Sequence, residues 1–291
     1  MSAVTLALLA TLVTLGAYFV WQWYRIERRT EHTNVSPGGV RLAIGFVTNF
    51  FDTLGIGSFA PTTSLFKLLR VVPDEQIPGT LNTGQCLPTL LQALIFIAIV
   101  EVETTTLVAM IMAAVLGAHL GARVVARLPR GAIQLGMGAA LCVAAVLFIA
   151  TNLELIPGGG DARALSGGAL AVAVAINFVL GALMTLGIGL YAPCLILVSL
   201  LGMNPLAAFP IMMGSCGFLM PVAGAHFVAR GRYDLRAALG LALGGLPAVL
   251  LAAFIVKQMP LEWLRWLVVC VILYTAYAML RSARTEWLQR S

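Results

Sequence analysis

Charge is scarce in this chain. Only 10% of its 291 residues are Asp, Glu, Lys or Arg, while 60% are hydrophobic. An ordinary soluble domain carries about 25% charged residues, so a soluble fold of this size is excluded. Chemistry-bearing residues are also sparse. The five cysteines (Cys86, Cys142, Cys194, Cys216, Cys270) lie in apolar segments with no CxxC or other metal spacing, and small buried core residues are the plain reading of them. His119 and His226 are isolated, and each suits a helix–helix hydrogen bond or a proton relay. No triad, metal cluster or phosphate-binding glycine loop is present, so neither a cofactor nor a metal is expected. The net charge of +6 points to membrane orientation rather than to nucleic acid, because Lys and Arg set topology in membrane proteins.

What the chain has instead is long apolar runs, about the 20 residues a helix needs to cross a bilayer. The composition predicts an all-α polytopic membrane protein. Residues 3–24 read as a first helix, ending in an interfacial belt of Trp21, Trp23 and Tyr24. Without a basic start or a small-residue cleavage site, it reads as a retained span. Plain spans are expected over 84–100, 104–127, 131–151, 207–229, 237–257 and 262–280.

Two stretches differ. Thr53-Leu54-Gly55-Ile56-Gly57-Ser58-Phe59-Ala60-Pro61 returns 132 residues later as Thr185-Leu186-Gly187-Ile188-Gly189-Leu190-Tyr191-Ala192-Pro193. Two Gly and a Pro break a helix. A break recurring at the same place in two halves of a membrane chain points to a transporter's binding site. Pro73 and Pro205, Pro78 and Pro210, and Pro129 and Pro260 extend the duplication. The expected organisation is an N-terminal helix and basic linker (1–40), repeat 1 (41–151), a linker loop (152–166), repeat 2 (167–281) and a basic tail (282–291).

Charge also bears on whether the broken segments (41–72 and 167–202) cross or turn back. If both crossed, the 18 Lys and Arg would divide 11 inside to 7 outside. If both are re-entrant hairpins, only Arg163, Lys257 and Arg265 fall outside, which the positive-inside rule favours. Each repeat then has one hairpin and three crossings. The repeats are inverted, the N-terminus lies outside and the C-terminus in the cytoplasm. The two hairpin tips are expected to meet in mid-bilayer, where irregular backbone is tolerated only against protein or a polar cavity.

The residues after each break suit an anion. Pro61-Thr62-Thr63-Ser64 and Pro193-Cys194 are expected to open half-helices, whose free N–H groups and dipole favour negative charge. Capping and close small-residue packing is the alternative. Asn82-Thr83-Gly84-Gln85 and its counterpart Gly214-Ser215-Cys216-Gly217 open the next spans. The candidate binding set is Gly55, Gly57, Pro61, Thr62, Thr63, Thr83, Gln85, Gly187, Gly189, Pro193, Cys194 and Ser215. Asp52, an acid deep in an apolar run, is either a proton-coupling group or a cap for the turn. Met184 takes its place in repeat 2.

The Phe51-Asp52-Thr53-Leu54-Gly55-Ile56-Gly57 stretch, its second Gly-Ile-Gly copy, and Gly117-x-x-x-Gly121-Ala122-Arg123 with Leu128-Pro129 resemble the TauE/SafE family of sulfite and organosulfonate exporters. The resemblance covers most of residues 41–281. Ser58-Phe59 and Leu190-Tyr191 stand where the family carries more glycine. The resemblance implies outward transport of sulfite or a small organosulfonate across an inner membrane, energised by the proton gradient. The implied partners are that anion, protons and the bilayer; a homodimer is left open. The alternatives weighed are a passive anion channel, a membrane-embedded enzyme and a membrane scaffold subunit.

Overall fold

The computed structural model describes residues 2–29, 35–121, 130–153, 155, 160–184 and 189–288. Among them the chain is helical, with no strand beyond an isolated bridge between Ala162 and Met203. The helices are α1 (Ala3–Glu27), α2 (Gly38–Thr53), α3 (Phe59–Leu69), α4 (Ile77–Gly84), α5 (Cys86–Ile99), α6 (Thr104–Leu116), α7 (Arg130–Asn152), α8 (Gly167–Met184), α9 (Tyr191–Leu200), α10 (Ala208–Ala229), α11 (Leu235–Gln258) and α12 (Leu261–Leu288). Six apolar stretches of the described residues are long enough to cross a membrane. The expected span at 84–100 starts earlier, at Ile77, and is kinked at Gln85. Pro88 causes the kink: it has no N–H for the Gly84 carbonyl and its ring crowds that group.

The helices form two compact units, neither of which coincides with a repeat. The first holds residues 1–100 and 213–257, the second residues 101–212 and 258–291.

In the first unit α1 lies along α5 and the later part of α10. A Cβ on Gly16 would lie 3.0 Å from the Leu90 side chain, and one on Gly224 would lie 2.8 Å from Phe19. Trp23 donates to the Tyr233 hydroxyl at 2.9 Å, and that hydroxyl donates to Glu27. Burial pushes the Tyr233 phenol up, and its bond to Glu27 adds to the shift. Helix α2 lies against α11 with almost no side chain between. A Cβ on Gly45 would sit 2.4 Å from the Gly240 carbonyl oxygen, and one on Gly244 would sit 2.2 Å from that of Leu42. Small residues let membrane helices approach this closely, and dispersion then holds them.

Helices α2 and α3 return to the end they started from. At the start of α2, Arg41 packs on Gly240. Past the end of α3, Val72 and Ile77 cluster with Ala237 and Leu241 in the first turns of α11. Thr80 accepts the Asp234 N–H at 2.9 Å. Sixteen and eleven residues span about 24 and 16 Å, each short of a hydrocarbon core of about 30 Å. The pair is a hairpin.

The second unit packs α7 on α12 and α6 on α8. A Cβ on Gly138 would lie 2.8 Å from Leu280, and one on Gly181 would lie 2.1 Å from the Ala114 carbonyl oxygen. Its broken segment closes on itself too. Just before α8 and just after α9, Ala162 pairs with Met203 and its carbonyl accepts the Asn204 N–H at 2.9 Å. Glu103 caps α6 by accepting the Thr105 and Thr106 N–H groups at 2.8 and 2.7 Å. Those bonds hold its carboxyl down at about 2.

The two seams use matching positions. Gly45 meets Gly240 and Leu241, and 132 residues after Gly45, Asn177 donates to the Met110 carbonyl at 2.6 Å. Met110 in turn is 131 residues before Leu241. Asn49 packs on Gly245 as Gly181 packs on Ala114. Asn and Gly have traded places, one turn apart, between otherwise equivalent interfaces. Each broken segment thus rides on the second plain span of the other repeat.

Candidate functional site

The break between α2 and α3 is built by glycine. Gly55 and Gly57 have φ of 98° and 87°, where a side chain is strained. Helix α3 then starts at Phe59, two residues before the expected start at Pro61; Ser58 is its N-cap. Helix α9 likewise starts at Tyr191, before Pro193. Each Pro sits in its helix's first turn, where a missing N–H costs nothing. The first intrahelical bonds are equivalent, Thr62 N–H to Ser58 and Cys194 N–H to Leu190, both at 3.0 Å.

Asp52 reaches over the break. It is buried, accepts from Gln92 Nε2 at 2.9 Å, and takes both the backbone N–H and the hydroxyl of Ser58. It therefore caps α3, with a carboxylate at the positive end of the dipole. Gln92 also donates to Thr53 Oγ1 at 2.9 Å. One turn into α3, Thr62 Oγ1 accepts from Gln85 Nε2 at 3.3 Å. Thr62, Thr83 and Gln85 are fully buried, and Thr83 Oγ1 and Gln85 Oε1 have no hydrogen-bond partner. A buried polar atom without a partner is costly, so this corner of the first unit has unused capacity for a polar ligand. Where α3 ends, Lys67 and Arg70 line a cleft of about 400 Å³ with Phe66, Val72 and Pro73.

Of the residues singled out by sequence, the first unit brings Asp52, Gly55, Gly57, Pro61, Thr62, Thr63, Thr83 and Gln85 to the hairpin and the kinked span beside it. Pro61 and Thr63 are half-buried. Ser215 is buried in α10. In the second unit Pro193 and buried Cys194 lie in the first turn of α9, with exposed Gly189 before it. Gly187 lies outside the described residues. His119 is exposed, within a π-helical turn over Gly117–Gly121.

Two residues of this site escaped the sequence reading. Gln92 is a lone amide in Leu90-Leu91-Gln92-Ala93-Leu94, and a polar group at that depth was its signal. Ser58 precedes Phe59-Ala60-Pro61, the place of a helix N-cap.

Apolar spans, two hairpins that close on their own ends, and a buried polar corner at a helix break define a multi-pass membrane protein of the transporter class. The profile of the family described as "Sulfite exporter TauE/SafE" matches residues 1–148 and 169–290. The chain belongs to the TauE/SafE family. Comparison with curated proteins and with solved structures gives no match.

Proposed function

We propose that this chain is a secondary transporter exporting sulfite, or a small organosulfonate, across the inner membrane, its movement coupled to protons through Asp52. One observation carries the reading. The α2–α3 break turns the start of a helix into a buried polar corner, where Thr83 and Gln85 hold unpartnered atoms beside Thr62. The open amides of Phe59 and Ala60, the α3 dipole and the Thr62 and Thr63 hydroxyls suit an oxyanion without placing a full positive charge in hydrocarbon. The Lys67–Arg70 cleft, at the end where the hairpin enters, favours an anion on approach. Gly187, Gly189, Pro193 and Cys194 form the matching element of repeat 2. An odd number of crossings between the hairpins makes the repeats inverted, with the N-terminus outside and the C-terminus in the cytoplasm.

A thermal-shift screen of the purified protein against sulfite, sulfate, thiosulfate, sulfoacetate and taurine tests the reading. A ligand that binds only the folded state raises the melting temperature. Stabilisation by sulfite or a sulfonate, lost in Thr63→Val, is expected. No response to any of the five refutes it.

A further inference from the structure

Asp52 occupies the helix end that the cargo needs. Its carboxylate takes the N–H and hydroxyl of Ser58, the N-cap of α3. The remaining open amides, those of Phe59 and Ala60, follow directly. The groups facing Asp52 are Gln92 from α5 and Ser58 from the start of α3, with Thr53 of its own helix sharing the Gln92 donor; no charged side chain acts on it. Nothing there offsets a second negative charge. Two anions at one buried helix end repel strongly, as paired carboxylates do.

We infer that the cargo anion and a proton bind together at the start of α3, the proton on Asp52, so that the two cross the membrane in the same direction. The inference rests on the anion reading above and fixes the sign of its coupling. Protonation forms an O–H on Asp52 and removes the charge that competes with the cargo. The carbonyl oxygen of the acid still accepts from Ser58, and the new O–H can donate to the anion. Release on the far side frees both. By linkage, the anion raises proton affinity as much as the proton raises anion affinity. An exchanger would need the opposite sign. With co-binding, an acidic exterior draws the anion inward, and outward flow runs on the anion's own gradient.

Two ligands, methanesulfonate and sulfite, serve as probes of the purified full-length protein in weakly buffered detergent solution. Methanesulfonate keeps one charge across the neutral range. Proton uptake is read as the difference between wild type and Asp52→Asn, which cancels the acid–base behaviour of sulfite. Wild type is expected to take up about one proton per anion bound, and to lose about tenfold in affinity per pH unit once Asp52 is ionised. Asp52→Asn, which keeps a carbonyl for Ser58, is expected to bind with no such slope. A second measurement needs no variant: in proteoliposomes, acidifying the outside should accelerate uptake of the labelled probe. Binding without proton uptake, an unchanged slope in Asp52→Asn, or uptake slowed by external acid overturns co-binding and leaves the anion site standing. Failure of both probes to bind removes the anion site, and the inference with it.

Discussion

Replacing Gly57 by Ala isolates the backbone contribution to the break. The φ of 87° at Gly57 lies in the region that side chains avoid. A Cβ there would meet nothing within 4 Å, so neither a clash nor a new contact enters. What remains is backbone strain, about 1–2 kcal/mol. Gly189 supplies the control. It stands at the matching position of repeat 2, and a Cβ there also meets open space, but its φ is not positive. Alanine at Gly189 should therefore stay within about 0.5 kcal/mol of wild type. A difference of 1–2 kcal/mol corresponds to a factor of about 5–30 in the folded-to-unfolded ratio, well within what chemical unfolding in detergent resolves. The same strain falls on the start of α3, so sulfite flux in proteoliposomes should drop in Gly57→Ala and hold in Gly189→Ala. Equal stability and equal flux in the two variants would refute the claim that the left-handed glycine shapes the site.

Gln92→Leu removes the amide that donates to both Asp52 and Thr53. Losing a bond to a charged group costs about 1.5–3 kcal/mol; a variant with unchanged melting temperature and unchanged transport would show that Gln92 is a spectator. Gly181→Leu forces a side chain into the Ala114 carbonyl, 2.1 Å from where its Cβ would lie, and overpacking of this kind costs at least about 1–3 kcal/mol. A normally stable Gly181→Leu protein would contradict the α6–α8 seam. Glu103→Gln tests the α6 cap through pH. The Glu103 carboxyl is held at about 2 against an ordinary 4.5, so its contribution is complete above about pH 4.5 and fades as pH falls towards 2. Wild type should melt higher than Glu103→Gln at neutral pH and converge with it in strong acid; a gap that persists in acid would assign the effect to something other than the carboxylate.

Much of the architecture was legible because the bilayer imposes its own periodicity. A run of about 20 apolar residues reports a span with little dependence on its neighbours, and residues 104–116, 130–152 and 235–258 fall where composition puts them. The two breaks were legible for a similar reason: Gly-Ile-Gly with a following Pro is incompatible with continuous helix whatever surrounds it. Less local features were hidden. The kink at Gln85 depends on Pro88 acting back four residues, so the span that contains it was expected to start too late. The start of α3 at Phe59 depends on Ser58 and on a carboxylate from the preceding helix.

Sequence alone determined that this protein is embedded in a membrane, that it is duplicated, and that each half is broken once at the same place. These properties follow from composition and local backbone chemistry. Tertiary structure decided which groups meet at the first break. It set Asp52 across the start of α3 with Gln92 beneath it, and left Thr83 and Gln85 with unspent hydrogen bonds. It also decided that each hairpin leans on the second plain span of the other repeat, where Asn and Gly exchange roles. Contacts of that kind join residues more than 60 positions apart, and only close approach of two glycine-lined helices brings them within reach.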